Sequence, residues 1–254
     1  CIRAPIRTGT PVTRATRTPR GFRVETPSGA IEARALVAAT GPFQRPLRPA
    51  MVPEAAVPFQ IHSAHYRNPA QLPPGAVLVV GAGSSGAQIA EELAQAGRRV
   101  HLAVGPHDRP PRRYRGRDFV WWLGALGKWD ATTRGPGTEH VTIAVSGAQG
   151  GHTVDFRRLA ASLGITLHGR ATGWDGRSVR FAPDLAANLA RGDADHLSLL
   201  DEADAHVAAQ GLDLPPEPEA RLIPPDPPCV THPILSLDPK GEGIAAIVWA
   251  TGYA

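Results

Sequence analysis

VLVVGAGSSGAQIAEEL, residues 77–93, is a β-branched run, a glycine-punctuated turn and the start of an amphipathic repeat. Val77, Leu78, Val79 and Val80 form the continuous apolar pattern of a parallel strand buried on both faces. The run stops at Gly81. Gly81, Gly83 and Gly86 then spell G-x-G-x-x-G, and from Ser85 the sequence turns helical, with Ile89 and Leu93 four apart on one face and Ala90 and Ala94 beside them. Strand, glycine turn and helix in that order are the context a dinucleotide fingerprint requires. Gly81 permits the tight turn, Gly83 lets the backbone approach a diphosphate, and Gly86 lets the helix close on the strand. The helix N-terminus adds free N–H groups and a partial positive charge. A second strand over residues 99–104 follows, so the unit reads as β-α-β.

The same residues carry a competing pattern. Ala82-Gly83-Ser84-Ser85-Gly86 resembles the nucleophile elbow of α/β-hydrolases, with Ser84 as nucleophile and downstream residues such as His232 available for a triad. No Gly-rich oxyanion segment precedes it, and that reading leaves Gly81 without a task.

Around this unit the chain runs to 254 residues, 42% hydrophobic, with no apolar run long enough to cross a membrane. There is no initiator Met and no signal peptide, so Cys1 reads as the cut end of a longer protein. Cys1 and Cys229 alone make no disulfide framework or zinc site, and free thiols in a reducing, cytoplasmic compartment are expected. The net charge of +4 is carried by arginine, clustered over residues 109–117. With no stripe of interleaved cations and aromatics, this favours an anionic small ligand over nucleic acid.

Residues 1–41 read as strands: 12–18, then 21–26 and 30–35 joined by a turn at Pro27-Ser28-Gly29. Leu36-Val37-Ala38-Ala39 reads as a buried strand with a sharp glycine exit at Gly41. Pro42, Pro46 and Pro49 make an irregular connection. Residues 50–75 read as a linker with one polar knot, His62-Ser63-Ala64-His65-Tyr66-Arg67, either a capped surface loop or a junction loop that touches cofactor.

Beyond the second strand the nucleotide type is decided. An NAD site places an acid at the strand end to hold the ribose 2′-OH. Here the strand runs into Val104-Gly105-Pro106, and Arg109, Arg112 and Arg113 follow. A guanidinium binds a 2′-phosphate through paired charged hydrogen bonds, so NADP is favoured over NAD. Arg115 and Arg117 read as a solvated basic loop. Phe119, Trp122 and Leu126 share a helical face that reads as packing rather than a nicotinamide wall. A helix over 155–163 ends at Gly164. Strands follow at 165–167 and 178–181, then a helix over 184–210 interrupted near Gly192 with a solvated charged face. Residues 215–228 are too rich in proline for a regular element. Residues 244–249 form a last buried strand.

Two distant segments match each other. Leu36-Val37-Ala38-Ala39-Thr40-Gly41 and Ile247-Val248-Trp249-Ala250-Thr251-Gly252 both end in Ala-Thr-Gly and bracket the fingerprint. The chain thereby resembles flavoproteins with two dinucleotide-binding domains, most closely the bacterial flavin-containing monooxygenase-like branch. Ala250-Thr251-Gly252-Tyr253 looks like the monooxygenase signature. His62 to Arg67 looks like the end of the family's F-x-G-x-x-x-H signature, although Ala56 and Pro58 stand where Phe and Gly are expected.

The resemblance implies an α/β fold: a Rossmann-like NAD(P)-binding domain inserted into a partial FAD-binding domain with a small β-hairpin region. Residues 1–58 would be the end of the FAD domain, 59–75 a linker, 76–238 the NAD(P) domain and 239–254 the return strand. It implies that NADPH hands a hydride to FAD, that reduced flavin reacts with dioxygen, and that an oxygen atom passes to a small-molecule substrate at N, S or a carbonyl. Gly83, Ser84, Ser85 and Gln88 would contact the dinucleotide. Arg113 and Arg112, ahead of Arg109, are 2′-phosphate candidates. His62, Ser63 and Tyr66 are junction candidates, and Thr40, Gly41, Thr251 and Gly252 mark the flavin-side crossings.

The family's first, FAD-binding G-x-G-x-x-G is absent from the 40 residues that lead up to Gly41 of the first Ala-Thr-Gly, so the chain alone is expected not to hold FAD tightly. A flavin reductase and a nucleotide-sensing regulatory module remain as alternatives. No residue is assigned as catalytic, no metal is expected, and the oligomeric state is not legible.

Overall fold

Alternating polar and apolar residues build the first three strands, Arg14–Thr18 (β1), Gly21–Thr26 (β2) and Gly29–Ala33 (β3), paired antiparallel in the order β1-β2-β3. These strands lie where the sequence places them. The structure, a computed structural model, describes residues 4–41, 43–132 and 142–254. Cys1 and Pro42 lie outside the described residues. Two units divide the chain, Cys1–Gln44 and Arg45–Ala254.

The expected buried strand over residues 36–39 is not formed. Leu36 and Val37 are 42% and 86% exposed, and no strand covers them among the described residues. An apolar run becomes a buried strand only where a neighbouring sheet offers backbone partners and cover. The described residues of its unit offer neither.

The second unit is organised on a five-stranded parallel sheet. Its strands begin with Phe59–His62 (β4) and Ala76–Val80 (β5). Helix α1 (Ser84–Gln95) leads to β6 (Val100–Ala103). Two short strands, Arg113–Tyr114 (β7) and Arg117–Asp118 (β8), form a hairpin ahead of Phe119–Ala125 (α2). Phe156–Leu163 (α3) precedes Thr166–His168 (β9). Then come Ala171–Trp174 (β10), Val179–Phe181 (β11), the long helix Leu185–Gln210 (α4), Pro228–Thr231 (α5), Ser236–Leu237 (β12) and Ile244–Trp249 (β13).

The sheet order is β4-β13-β5-β6-β9, parallel throughout. β5 alternates Val77 and Val79 into a core beneath α1 and α3, and Leu78 and Val80 into a second core beneath the antiparallel sheet β10-β11-β12. All five residues of β5 are buried, as a strand covered on both faces must be.

Three elements differ from the sequence reading. Residues 59–62, inside the stretch read as a linker, form β4, whose Gln60 is pinned by Trp249 Nε1 at 3.1 Å. β13, read as a return toward a flavin domain, pairs on both sides within this sheet. A run apolar on both faces takes whichever parallel neighbours flank it. Helix α4 is unbroken at Gly192, because the glycine is packed tightly: a Cβ there would sit 2.7 Å from His107 Nε2.

Candidate active site

Strand order reverses between β5 and β13, since the chain winds outward from β5 to β6 and β9 on one side and fills β13 and β4 on the other. In open parallel sheets the ligand crevice opens at the carboxyl ends of the strands at such a reversal. Gly81–Gly86 and Ala250–Tyr253 lie at those ends. Gly81 has a φ of +115°, and a Cβ on it would strike the carbonyl of Ala250. A Cβ on Gly86 would strike the carbonyl of Gly81 itself, so the first turn of α1 closes on the end of β5 only because both residues lack side chains. Gly83 has ordinary extended geometry, and a Cβ there would meet Thr142 Cγ2 at 3.4 Å.

The N-terminus of α1 has Gly83 as its N-cap, without a side-chain cap. Residues 142–145 pass in front of it. Ser84 N donates to Ile143 O at 2.9 Å, and Ser84 Oγ donates to the same oxygen at 2.9 Å and accepts from Val145 N at 3.1 Å. Gln88 Nε2 donates to Val145 O at 3.1 Å. The Ser84 hydroxyl is thus engaged with backbone, with no histidine among its partners here, which removes the support for a nucleophile elbow. The glycine turn and the axial N–H groups fit a diphosphate, and one of those N–H groups is held by the chain's own carbonyl.

Ser63, Tyr66, Ser85, Gln88 and Gln149 line one cavity of about 460 Å³ beside α1. Four of the sequence candidates are brought together there. Tyr66 OH donates to Glu92 Oε2 at 2.8 Å, and burial and that carboxylate push its pKa well up. Gln149 was not anticipated. It holds a left-handed φ of +52° in a Gly-rich loop, Gly147-Ala148-Gln149-Gly150-Gly151, a composition that signals a turn but not its location.

His62 caps the turn Ser63–His65 by accepting from Ala64 N through Nδ1 at 3.1 Å, while its Nε2 faces Gly252 O at 2.9 Å. The carbonyl can only accept, so Nε2 carries the proton. Burial lowers its pKa against the raising effect of that carbonyl, and the ring stays neutral. Its ring meets Tyr253 edge-on at 5.2 Å. Gly252 O also accepts from Leu47 N, and Thr251 Oγ1 donates to Leu47 O. The His62 segment and the Ala-Thr-Gly-Tyr segment therefore meet as one polar knot. Thr40 and Gly41 belong to the first unit and are exposed.

The arginines divide. Arg109 is 4% exposed and bound to Asp193 at 2.6 Å and Asp155 at 3.7 Å, with Arg157 on the other oxygen of Asp193 at 2.8 Å. It is a structural cation and no longer a 2′-phosphate candidate. Arg112 pairs with Asp118 at 3.0 Å, and exposed Arg113 donates to Gly150 O at 3.3 Å. Arg115 is not free in solvent, because Asp204 binds it at 2.6 Å. Asp204 and Asp193 both stand on α4, so part of its charged face is committed to ion pairs and not to solvent. Trp122 is fully buried with Tyr114 and Leu200, which supports packing, whereas Trp121 and Trp129 are exposed.

The family described as pyridine nucleotide-disulphide oxidoreductase matches residues 2–120. Over this half the chain is similar to oxidoreductases. It is 42% identical over 125 residues to an uncharacterized oxidoreductase CzcO-like protein of Geobacillus kaustophilus, covering 48% of this chain and 36% of that one. It is 37% identical over 125 residues to the oxidoreductase CzcO of Bacillus subtilis, again over 48% and 36%. The chain thus spans about a third of the length of these relatives. A flavin-containing monooxygenase from Stenotrophomonas maltophilia aligns in space with a TM-score of 0.48 and 17% identity, over 98% of this chain and 52% of that one. Among the described residues no helix is long and apolar enough to cross a membrane, and no cluster of metal-ligating side chains occurs.

Proposed function

We propose that this chain is the NADPH-binding part of an FAD-dependent oxidoreductase of monooxygenase type that acts on a small molecule in the cytoplasm. The observation that carries the proposal is the glycine turn between β5 and α1, set at the strand-order reversal with Gly81 and Gly86 in mutual contact. When bound, NADPH supplies a hydride and FAD accepts it. The chain's own residues bind and orient. Gly83, Ser84 and Ser85 present backbone N–H groups to the diphosphate, and Gln88 closes the side of the cradle. Ser63 and Tyr66 wall the adjoining cavity. Arg113, with Arg112 behind it, is the cation for a 2′-phosphate and selects NADPH over NADH. His62 holds the Ala-Thr-Gly-Tyr segment through Gly252, and Thr251 ties it to Leu47. Thr40 and Gly41 mark the other crossing toward a flavin domain that the chain shares with the rest of a longer protein.

Calorimetry of the purified chain tests this. NADPH is taken up more tightly than NADH, Arg113→Ala narrows the difference roughly tenfold by losing a charged phosphate contact, and no stoichiometric flavin spectrum accompanies the protein. Equal indifference to both nucleotides would overturn the reading.

A further inference from the structure

The geometry points to a built-in competitor for the dinucleotide: residues 142–145 form a strap that occupies the diphosphate position and has to be displaced when the cofactor binds. The inference rests on the proposed site and concerns how that site is regulated. Four hydrogen bonds join residues 143–145 to the first turns of α1, all through Ser84 and Gln88. One of them uses the N–H of Ser84, the first helical N–H after the glycine turn, which is a group the fingerprint reserves for phosphate. On its other side the strap is held by Asp108 N donating to Thr142 O at 2.8 Å and Ala144 N donating to Asp108 O at 2.8 Å. These two bonds to Asp108, past the end of β6, and the bridge between Val145 and Thr153 act as the hinge, while the bonds to α1 act as the latch.

The latch is made of neutral acceptors. A phosphate oxygen on the same N–H makes a charge-assisted bond roughly twice as strong as a peptide carbonyl does. Cofactor therefore wins at sufficient concentration, and until then the strap lowers its apparent affinity by the fraction of molecules that are open. Ile143 suits this role, because its side chain is 39% exposed and its carbonyl does the latching. Of the strap's apolar side chains only the small Ala144 is fully buried, so opening exposes little more than one methyl group.

Hydrogen–deuterium exchange with and without NADPH, together with binding to the Ile143→Gly variant, decides the matter. NADPH is expected to speed exchange at the Val145 amide, which bonds Ser84 Oγ in the latched state. Ile143→Gly, by loosening the strap backbone, is expected to bind NADPH about fivefold more tightly, the factor released by roughly one net hydrogen bond. Slower exchange at Val145 with NADPH, or weaker binding by the variant, would show that the segment is a wall of the site and would overturn the inference. Uptake of NADPH without any change at Val145 sinks the competition and leaves the site standing. No uptake by either protein removes the site itself and the competition with it.

Discussion

Gly86 leaves no room for a methyl group, and Asp193 leaves no room for a lost charge. A Cβ at Gly86 lands on the Gly81 carbonyl, a backbone atom that cannot swing aside as a flexible side chain can. Gly86→Ala is therefore expected to lower stability by about 3 kcal/mol in urea denaturation, the upper end for overpacking, and to weaken NADPH binding along with it. Gly83 differs, because its backbone is extended and a Cβ there would meet Thr142 and Ile143 at ordinary contact distance. Gly83→Val is expected to cost only about 1 kcal/mol in urea denaturation, as for a poorer N-cap, and to abolish dinucleotide uptake in calorimetry. The contrast separates a glycine the fold needs from one the ligand needs. Asp193 neutralises Arg109 and Arg157, whose side chains are 5% and 8% exposed. Asp193→Asn is expected to cost about 3 kcal/mol, as for breaking a buried pair. Glu54→Gln, in a pair whose acid is 73% exposed, should cost under about 0.5 kcal/mol. Parallel denaturation curves of the two variants check both figures.

At the scale of elements, α4 shows where pattern and packing part. A glycine in the middle of a 26-residue helix costs about 1 kcal/mol in propensity relative to alanine, and sequence reasoning alone therefore breaks the helix there. Packing overrides it, because His107 lies against Gly192 and is held from its other side by the ring of Phe156 at 4.9 Å. Gly192→Ala should then destabilise by about 2 kcal/mol despite the better helix former, since the clash outweighs the propensity gain. Thermal or urea unfolding that showed a gain in stability would contradict this account. The same distinction explains what was legible. β5, α1, β6, α3 with its Gly164 cap and β13 announce themselves by local period and punctuation, and each formed within a residue or two of its expected bounds. β4 was hidden, because Phe59-Gln60-Ile61-His62 is too short and too mixed to signal a strand without its partner β13. The strap was hidden as well. Its four bonds run from residues 143 and 145 to residues 84 and 88, and no spacing rule reaches across that interval. Among the arginines, residue type could suggest an anion site, yet only burial shows Arg109 committed to carboxylates.

At the scale of the whole second unit, buried histidines set the response to acid. His168 donates from Nδ1 to Ile234 O at 3.3 Å and accepts at Nε2 from His101 Nδ1 at 3.0 Å, with its ring stacked on Phe181. Burial chiefly, and the neighbouring His101, push the His168 pKa down to about 4 from its usual 6.5. Burial also lowers His62, His101, His107 and His196. Each is a base whose folded state binds its proton less readily than the unfolded chain. Between pH 6.5 and 4 the unfolded state therefore holds more protons, and stability rises with pH across that window. Above pH 6.5 the contribution is fully present. As pH falls toward 4 it is lost, by about 3 kcal/mol for His168 alone. The lowered carboxylates Asp175, Asp204 and Asp238 act in the same direction only below their ordinary 3.8, so the two groups separate on the pH axis. Urea midpoints measured from pH 7.5 to 4 should fall steadily below pH 6.5. His168→Leu removes the strongest of these bases and should flatten the slope in that window, even though it lowers stability at pH 7.5 by breaking the bond to His101. A slope unchanged in the variant would mean that the acid response lies elsewhere than in this stacked pair.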